Sequence, residues 1–428
     1  STNNDLFLVP VGGGTARRIT ENPANDAQPT YSPDGKFVAY LAMERPGFEA
    51  DQHSLVLYDR ASGTRRVVAG LTDLSVGEMA WSPDGKTIYF AADSRGNRSV
   101  FRVDVRDGNV QSVLVEGTNG GIRVTPDGRS LVLIHERMHQ PAEVIRVDVN
   151  GKNLTRLTGF IDERVRSLVL PAKEDFWFEG SGGTKVHGLL LRPPGFQEGS
   201  RYPLVFLIHG GPQGQWADQF HYRWSAQLFA ARGYVVALIN PRGSTGYGQR
   251  YTDEISGDWG GAVYEDLMKG LDHLIATYRF IDGSRVAAAG ASYGGYMVNW
   301  MLGNTDRFRC FVSHDGVFNP WSMYGTTEEL WFPEWEFRGT PYDKPDLYDR
   351  WSPMRKAKNF RTPTLVIHGQ LDYRIDVSEG FQLFTALQRQ GVPSKMLYFP
   401  DEGHWVMRPA NAVVWYATVL DWIDTYTK

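Results

Sequence analysis

Three side chains far apart in the chain have the types and the order that acyl transfer requires: Ser292, Asp372 and His404. The serine lies in RVAAAGASYGGYM, Arg285 to Met297, where a small-residue strand runs into Gly290, Ala291, Ser292, Tyr293, Gly294 and Gly295 and then into a helical pattern. A serine held on so tight a strand-to-helix turn needs glycine on both flanks, because the helix must pass close to the strand. The turn lifts the hydroxyl out of the sheet and places it at a helix N-terminus, whose amides favour negative charge. Alone, the pattern also fits a Gly-rich turn around a buried serine.

The partners change that balance. TPTLVIHGQLDYRI, Thr362 to Ile375, reads as an apolar strand and a loop carrying Asp372. KMLYFPDEGHW, Lys395 to Trp405, reads as a second strand whose loop carries His404 ahead of a last helix over Asn411 to Tyr426. Acid and base thus follow the serine, each at the carboxyl end of a strand, where open parallel sheets carry their chemistry. His404 would take the proton of Ser292, and Asp372 would orient and stabilise the imidazolium. An oxyanion would meet the backbone amide of Tyr293 and one from the loop His209, Gly210, Gly211, Pro212, with Gly211 favoured over Gly210. Arg374 and Ile375, just past the acid, are expected to line the same cleft. The aromatic-rich insertion Gly316 to Trp351 adds Phe318 and Trp321 as candidate pocket residues, with Tyr296 from the helix after the serine. Glu328, Glu329, Glu334 and Glu336 in the same segment are candidates for a substrate amine, the first two foremost.

These groups need a scaffold, and the pattern after Leu170 supplies one. A hairpin (DFWFEGSGGTKVHGLLLRP) precedes the apolar strands YPLVFLIHGGP and YVVALINPRGSTGYG, and Trp259 to Tyr278 has helical periodicity. Strands alternating with helices predict a doubly wound, mostly parallel sheet of α/β-hydrolase type over residues 166–428. Residues 1–165 differ. YSPDGKFVAYLA, WSPDGKTIYFAA and VTPDGRSLVLIH begin at Tyr31, Trp81 and Val124, steps of 50 and 43 residues, and each Pro-Asp-Gly is a turn between strand-like runs. That is the period of a blade in an all-β propeller. The opening NNDLFLVPVGGGTARRIT reads as the end of a further blade. The expectation is a partial propeller, with blades missing from this chain and carried on the same parent chain or on a partner chain.

Composition limits the remaining possibilities. With 428 residues and 42% hydrophobic content the chain can build two or three cores. A net charge of -4 from 45 basic and 49 acidic residues leaves no footprint for nucleic acid. No apolar run approaches the ~18 residues of a membrane span, so no membrane partner is expected. The single cysteine, Cys310, in FRCFVSH, cannot form an internal disulfide or a metal cluster and reads as core. The chemistry asks for no cofactor and no metal.

HGGPQGQW from His209, GASYGGYM from Gly290, HGQLDYRI from His368 and DEGHW from Asp401 resemble the prolyl oligopeptidase family of serine peptidases. In that family a β-propeller covers an α/β-hydrolase domain. Within it, the Gln after HGGP and the run from Ser313 to Phe337 are most similar to the dipeptidyl-peptidase 5 group, with acylaminoacyl peptidases next. The resemblance implies release of dipeptides from free N-termini of short peptides, with apolar residues preferred before the cut. It carries the triad onto Ser292, Asp372 and His404. It also favours a periplasmic or secreted location, with a cytoplasmic one and a homodimer left open. Relatives of the dipeptidyl-peptidase IV type use a tyrosine hydroxyl in the oxyanion hole where this chain has His209, and no propeller glutamate pair for the amine is evident. An acylaminoacyl peptidase or esterase is the alternative, and a catalytically silent propeller that binds partners a more distant one.

Overall fold

Three times in the first 160 residues a Ser/Thr-Pro-Asp-Gly turn is closed by the same set of hydrogen bonds. The hydroxyl donates to the aspartate two residues on: Ser32 to Asp34 at 2.8 Å, Ser82 to Asp84 at 2.6 Å, Thr125 to Asp127 at 2.6 Å. It accepts the amide five residues on, from Phe37 at 2.9 Å and from Thr87 and Ser130 at 3.0 Å. These bonds hold all three carboxyls below their ordinary range, the hydroxyl donor being the largest cause.

Each turn joins the first two strands of a four-stranded antiparallel meander in this computed structural model, which describes residues 2–68, 71, 73–160 and 162–428. The first meander comprises Asp26–Tyr31, Phe37–Ala42, Ser54–Asp59 and Arg65–Val67. The second comprises Val76–Trp81, Thr87–Ser94, Asn97–Asp104 and Val110–Leu114, and the third Thr118–Val124, Ser130–Arg137, Gln140–Asp148 and Thr155–Arg156. A parallel pairing of Thr118 with Arg98 joins the last two into one ladder. Alternating residues face the cores, among them Leu41, Leu55, Ile88 and Phe90 between the first two meanders. This β-rich unit spans Ser1–Leu168 and takes in Ala217–Phe220 and Thr245–Thr252. Those two segments are tied to it by polar contacts: Arg137 pairs with buried Asp218 at 2.9 Å, and Thr245 donates to Asp93 at 2.8 Å.

The second unit spans Val169–Trp216, His221–Ser244 and Asp253–Lys428. In chain order its strands are β1 (Glu174–Glu179), β2 (Lys185–Leu191), β3 (Tyr202–Ile208), β4 (Val235–Asn240), β5 (Ile281–Ala291), β6 (Cys310–His314), β7 (Thr364–Gly369) and β8 (Ser394–Phe399). Its helices are α1 (Ala226–Ala231), α2 (Ala262–Thr277), α3 (Tyr293–Leu302), α4 (Pro320–Thr326), α5 (Trp331–Glu336), α6 (Pro345–Arg350), α7 (Val377–Arg389) and α8 (Pro409–Thr427). One eight-stranded sheet has the order β1-β2-β4-β3-β5-β6-β7-β8. Strand β2 is antiparallel to both neighbours and every later pairing is parallel. Strands β4, β6 and β7 are buried at every residue, which is why they read as mainly apolar runs, ended by polar residues, rather than alternating ones. Among the described residues no helix is long and apolar enough to cross a membrane.

Helix α3 is buried along its whole length and lies hard against the sheet. A Cβ on Gly294 would fall 2.2 Å from the carbonyl oxygen of Ile208 in β3. Gly294→Ala should therefore lower stability by about 3 kcal/mol, read as a lower denaturant midpoint at unchanged slope. At Gly325, in α4, nothing lies within 4 Å of a built Cβ; Gly325→Ala should be neutral or stabilising by up to ~1 kcal/mol.

Candidate active site

Strand β5 ends at Ala291 and α3 begins at Tyr293, which leaves Ser292 alone on the turn at φ 60° and ψ −122°. A positive φ is strained for a residue with a Cβ and persists only where surroundings impose it. Here the Ser292 amide donates to the carbonyl of His314 at 3.0 Å, and the Ser292 carbonyl accepts from the Tyr296 amide at 2.9 Å. The Tyr293 amide is the first of the helix. The loop after β3 lies against the serine: a Cβ on Gly210 would stand 3.1 Å from Ser292 Cβ and 3.7 Å from its Oγ. Gly211 follows at φ 125°, a conformation open to glycine. His209 is buried, its Nδ1 donating to the Gly210 carbonyl at 2.8 Å and its Nε2 lying 2.9 Å from the Ser244 hydroxyl. Burial pushes its pKa down to about 4, so the ring is neutral.

Asp372 follows β7 and is fully buried. Its Oδ1 accepts the amides of Arg374 and Ile375, both at 3.0 Å, and its Oδ2 lies 2.6 Å from His404 Nδ1. Holding the proton on Nδ1 leaves Nε2 as the acceptor of a neutral ring. His404 sits on the loop after β8, and the two loops are joined by the Leu371 amide donating to the Glu402 carbonyl at 2.9 Å. Glu402 is itself buried and accepts the amides of Met407 and Arg408 at 3.0 Å each, which folds the His404 loop onto the start of α8. Burial of the imidazole depresses its pKa, but the hydrogen bond and charge of Asp372, with the charge of Asp315, outweigh this and raise it. A carboxylate oxygen of Asp315, one of Asp372 and a ring nitrogen of His404 lie within 4.8 Å of one another.

Arg374 is half-buried. Its guanidinium pairs with Glu329 at 2.9 Å, reaches within 3.8 Å of Glu328 and lies over the Trp405 ring at 4.9 Å. Glu328 donates its amide to the Tyr373 carbonyl at 2.8 Å, which puts the acidic pair on the loop of Asp372. The remaining candidates for a pocket are placed otherwise. Tyr296 has no exposed surface and packs on Trp259 at 5.0 Å, because the glycines that draw α3 onto the sheet bury every side of that helix. Phe318 is also core, against Phe360, and Ile375 is buried behind its own amide contact. Trp321 is partly buried and donates to Asp349 at 3.1 Å. Of the other glutamates, Glu334 accepts from Tyr324 at 2.9 Å. Glu336 is buried, accepting from Gln213 at 2.8 Å, Ser256 at 2.9 Å and Trp259 at 2.7 Å, so it has no room for an amine. The sequence reading passed over Asp315 and Trp405, although each directly follows a residue of note: the end of an apolar strand in one case, His404 in the other.

Residues 220–428 match the Prolyl oligopeptidase family. Dipeptidyl-peptidase 5 of Schizosaccharomyces pombe is 38% identical over 432 residues, covering 100% of this chain and 62% of its own length. The probable dipeptidyl-peptidase 5 of Emericella nidulans is 40% identical over 431 residues, 98% of this chain and 59% of that protein. The chain thus spans about three-fifths of the length of these relatives. Among solved structures, the acylaminoacyl peptidase of Pyrococcus horikoshii superposes with a TM-score of 0.85 at 22% identity, over 99% of this chain and 66% of the other. Porphyromonas gingivalis dipeptidyl peptidase 4 does so with a TM-score of 0.78 at 17% identity, over 99% and 60%. The sheet that ends in Ser292, Asp372 and His404 has the α/β-hydrolase fold of those structures, and residues 220–428 within it form a prolyl oligopeptidase family domain.

Proposed function

We propose that this chain carries the catalytic domain of a serine exopeptidase that releases dipeptides from the free N-termini of short peptides, with an apolar residue before the scissile bond. Ser292 attacks the peptide carbonyl while His404 Nε2 takes its proton; the imidazolium is held by Asp372 and then protonates the leaving amine. The amides of Tyr293 and Gly211 receive the oxyanion, and water resolves the ester by the same route in reverse. The observation that carries this reading is the 2.6 Å contact between His404 and a buried Asp372, on loops at the carboxyl edge of the sheet whose strand β5 runs into a serine held at positive φ. The three four-stranded meanders with their shared turn chemistry are read here as propeller blades.

The dipeptide preference is favoured over acylaminoacyl hydrolysis by two things. The relatives at 38% and 40% identity bear the dipeptidyl name, whereas the acylaminoacyl peptidase is a match in fold at 22%. And Glu328, tied to the Asp372 loop through the Tyr373 carbonyl, and Glu329, paired with Arg374 of that loop, are carboxylates for a substrate ammonium group in this reading.

Ser292→Ala should lower kcat by about 10⁵- to 10⁶-fold with unchanged thermal stability, measured on an apolar dipeptidyl anilide. N-acetylation of that substrate should lower kcat/KM at least ~100-fold, the loss of an ammonium–carboxylate contact that only the free amine makes; an acetylated substrate turned over as well as its parent would point to the acylaminoacyl activity. Because the pKa of His404 is raised and the neutral ring is the active form, the acid limb of kcat/KM should fall above the ordinary histidine value of 6.5.

A further inference from the structure

Strands β6 and β7 are neighbours in the sheet, and each is followed by an aspartate with a carboxylate oxygen within 4.8 Å of a His404 ring nitrogen. Asp372 is the acid after β7. Asp315 directly follows β6, has no exposed surface, and takes the left-handed φ of 46° that Asp and Asn tolerate best. Its amide donates to the Ile367 carbonyl at 2.9 Å, continuing the ladder one residue past the strand. Its Oδ1 then accepts the Gly369 amide at 3.3 Å, which turns the carboxylate along the end of β7 toward Asp372 and His404. The three groups stand within 4.8 Å of one another.

We infer that Asp315 is a second positioning carboxylate for His404, able to hold the imidazolium in part when Asp372 is neutralised. The inference rests on the proposed Ser292–His404–Asp372 mechanism and adds a member to it. Two unit charges at this separation both favour the protonated ring, whichever of them makes the hydrogen bond. The charge of Asp315 is already among the causes that raise His404, and Arg374 opposes it. The other titratable groups around Asp315 are His314, whose Nε2 lies 2.8 Å from Oδ2, and His368, whose Nε2 lies 3.7 Å from Asp315 Oδ1 and 3.7 Å from Asp372 Oδ2. His368 is engaged with the Ile375 carbonyl at 2.8 Å, and His314 stacks on Trp224. Behind His368 stands Glu379, which is occupied by the amides of Phe318 and Asn319. Both histidines are neutral or cationic, so neither can replace Asp315 as a negative charge near His404.

The test compares Asp315→Asn, Asp372→Asn and the double variant with Ser292→Ala as background, each checked for thermal stability. Asn keeps the shape and the φ of position 315. Asp315→Asn should move the acid limb of kcat/KM down by about half to one pH unit and lower kcat by about 10-fold. Asp372→Asn should stay at least ~100-fold above background, and the double variant should fall to it, a loss greater than the product of the single losses. An unmoved acid limb in Asp315→Asn, together with a double variant no worse than Asp372→Asn, overturns the inference. Should Asp315→Asn fail to fold, histidine-resolved NMR titration of Asp372→Asn decides: a His404 pKa still at or above 6.5 supports Asp315 as the remaining anion, and a value more than a unit below it refutes this. Full turnover by Ser292→Ala would instead defeat the underlying mechanism and leave the NMR result standing by itself.

Discussion

A carboxylate removed from water must be met by donors, and Asp372 shows how the site is built around that need. An ionised group without partners in a low-dielectric interior costs several kcal/mol, and loss of one member of a buried pair costs about 3–5 kcal/mol. Asp372 is satisfied by two amides from its own loop and by the imidazole of His404. The amides fix where the carboxylate points, and the carboxylate then fixes the tautomer and plane of the ring. The geometry that general base catalysis requires is in this sense a by-product of satisfying one buried charge.

The same device recurs around the sheet's rim. Glu402 gathers the amides of Met407 and Arg408 and so ties the His404 loop to α8. Glu379 gathers the amides of Phe318 and Asn319 at the entry to α4 and also accepts from Ser322. Glu336 joins the segment before α2, through Ser256 and Trp259, to Gln213, two residues past Gly211. Burial raises the pKa of both Glu336 and Glu379, and the donors around each pull against that rise. Loops have no ladder of their own to hold them, so a carboxylate that accepts two or three N–H groups does for a loop what a neighbouring strand does for a strand.

Most of the frame was legible because it rests on local rules. Mainly apolar runs announced buried parallel strands, and the helix expected over Trp259 to Tyr278 is α2, starting three residues later because Gly260 and Gly261 precede it. The order of Ser292, Asp372 and His404 placed all three at strand ends, where the structure has them. What escaped the sequence reading was acidic and aromatic. Glu336 lies in an aromatic-rich segment and Glu379 near the start of a helix, and nothing local distinguishes a solvated carboxylate from one that clamps a loop 60 or more residues away. Tyr296, on the helix after the serine, was expected near substrate, but it is buried against Trp259 and Tyr293.

The insertion between β6 and β7 illustrates how far burial redirects such expectations. Its aromatic content invites the reading of a pocket, yet Phe337 stacks on Tyr348 at 4.4 Å and lies tilted against Trp259 at 4.8 Å, while Tyr324 and Trp321 turn toward the same Tyr348. These rings form a core beneath the insertion, and a segment with three short helices needs one, since none of them is long enough to be stable alone. The exposed apolar surface near the proposed triad is found on other residues: Leu371 and Tyr373 on either side of the acid, and Trp405 after the base. Those side chains ride on the loops that Asp372 and Glu402 hold in place. In the proposed enzyme, substrate preference and catalytic geometry would then be set by the same few turns of chain, and the aromatic insertion would act chiefly by keeping Gln213 and Glu328 where they are.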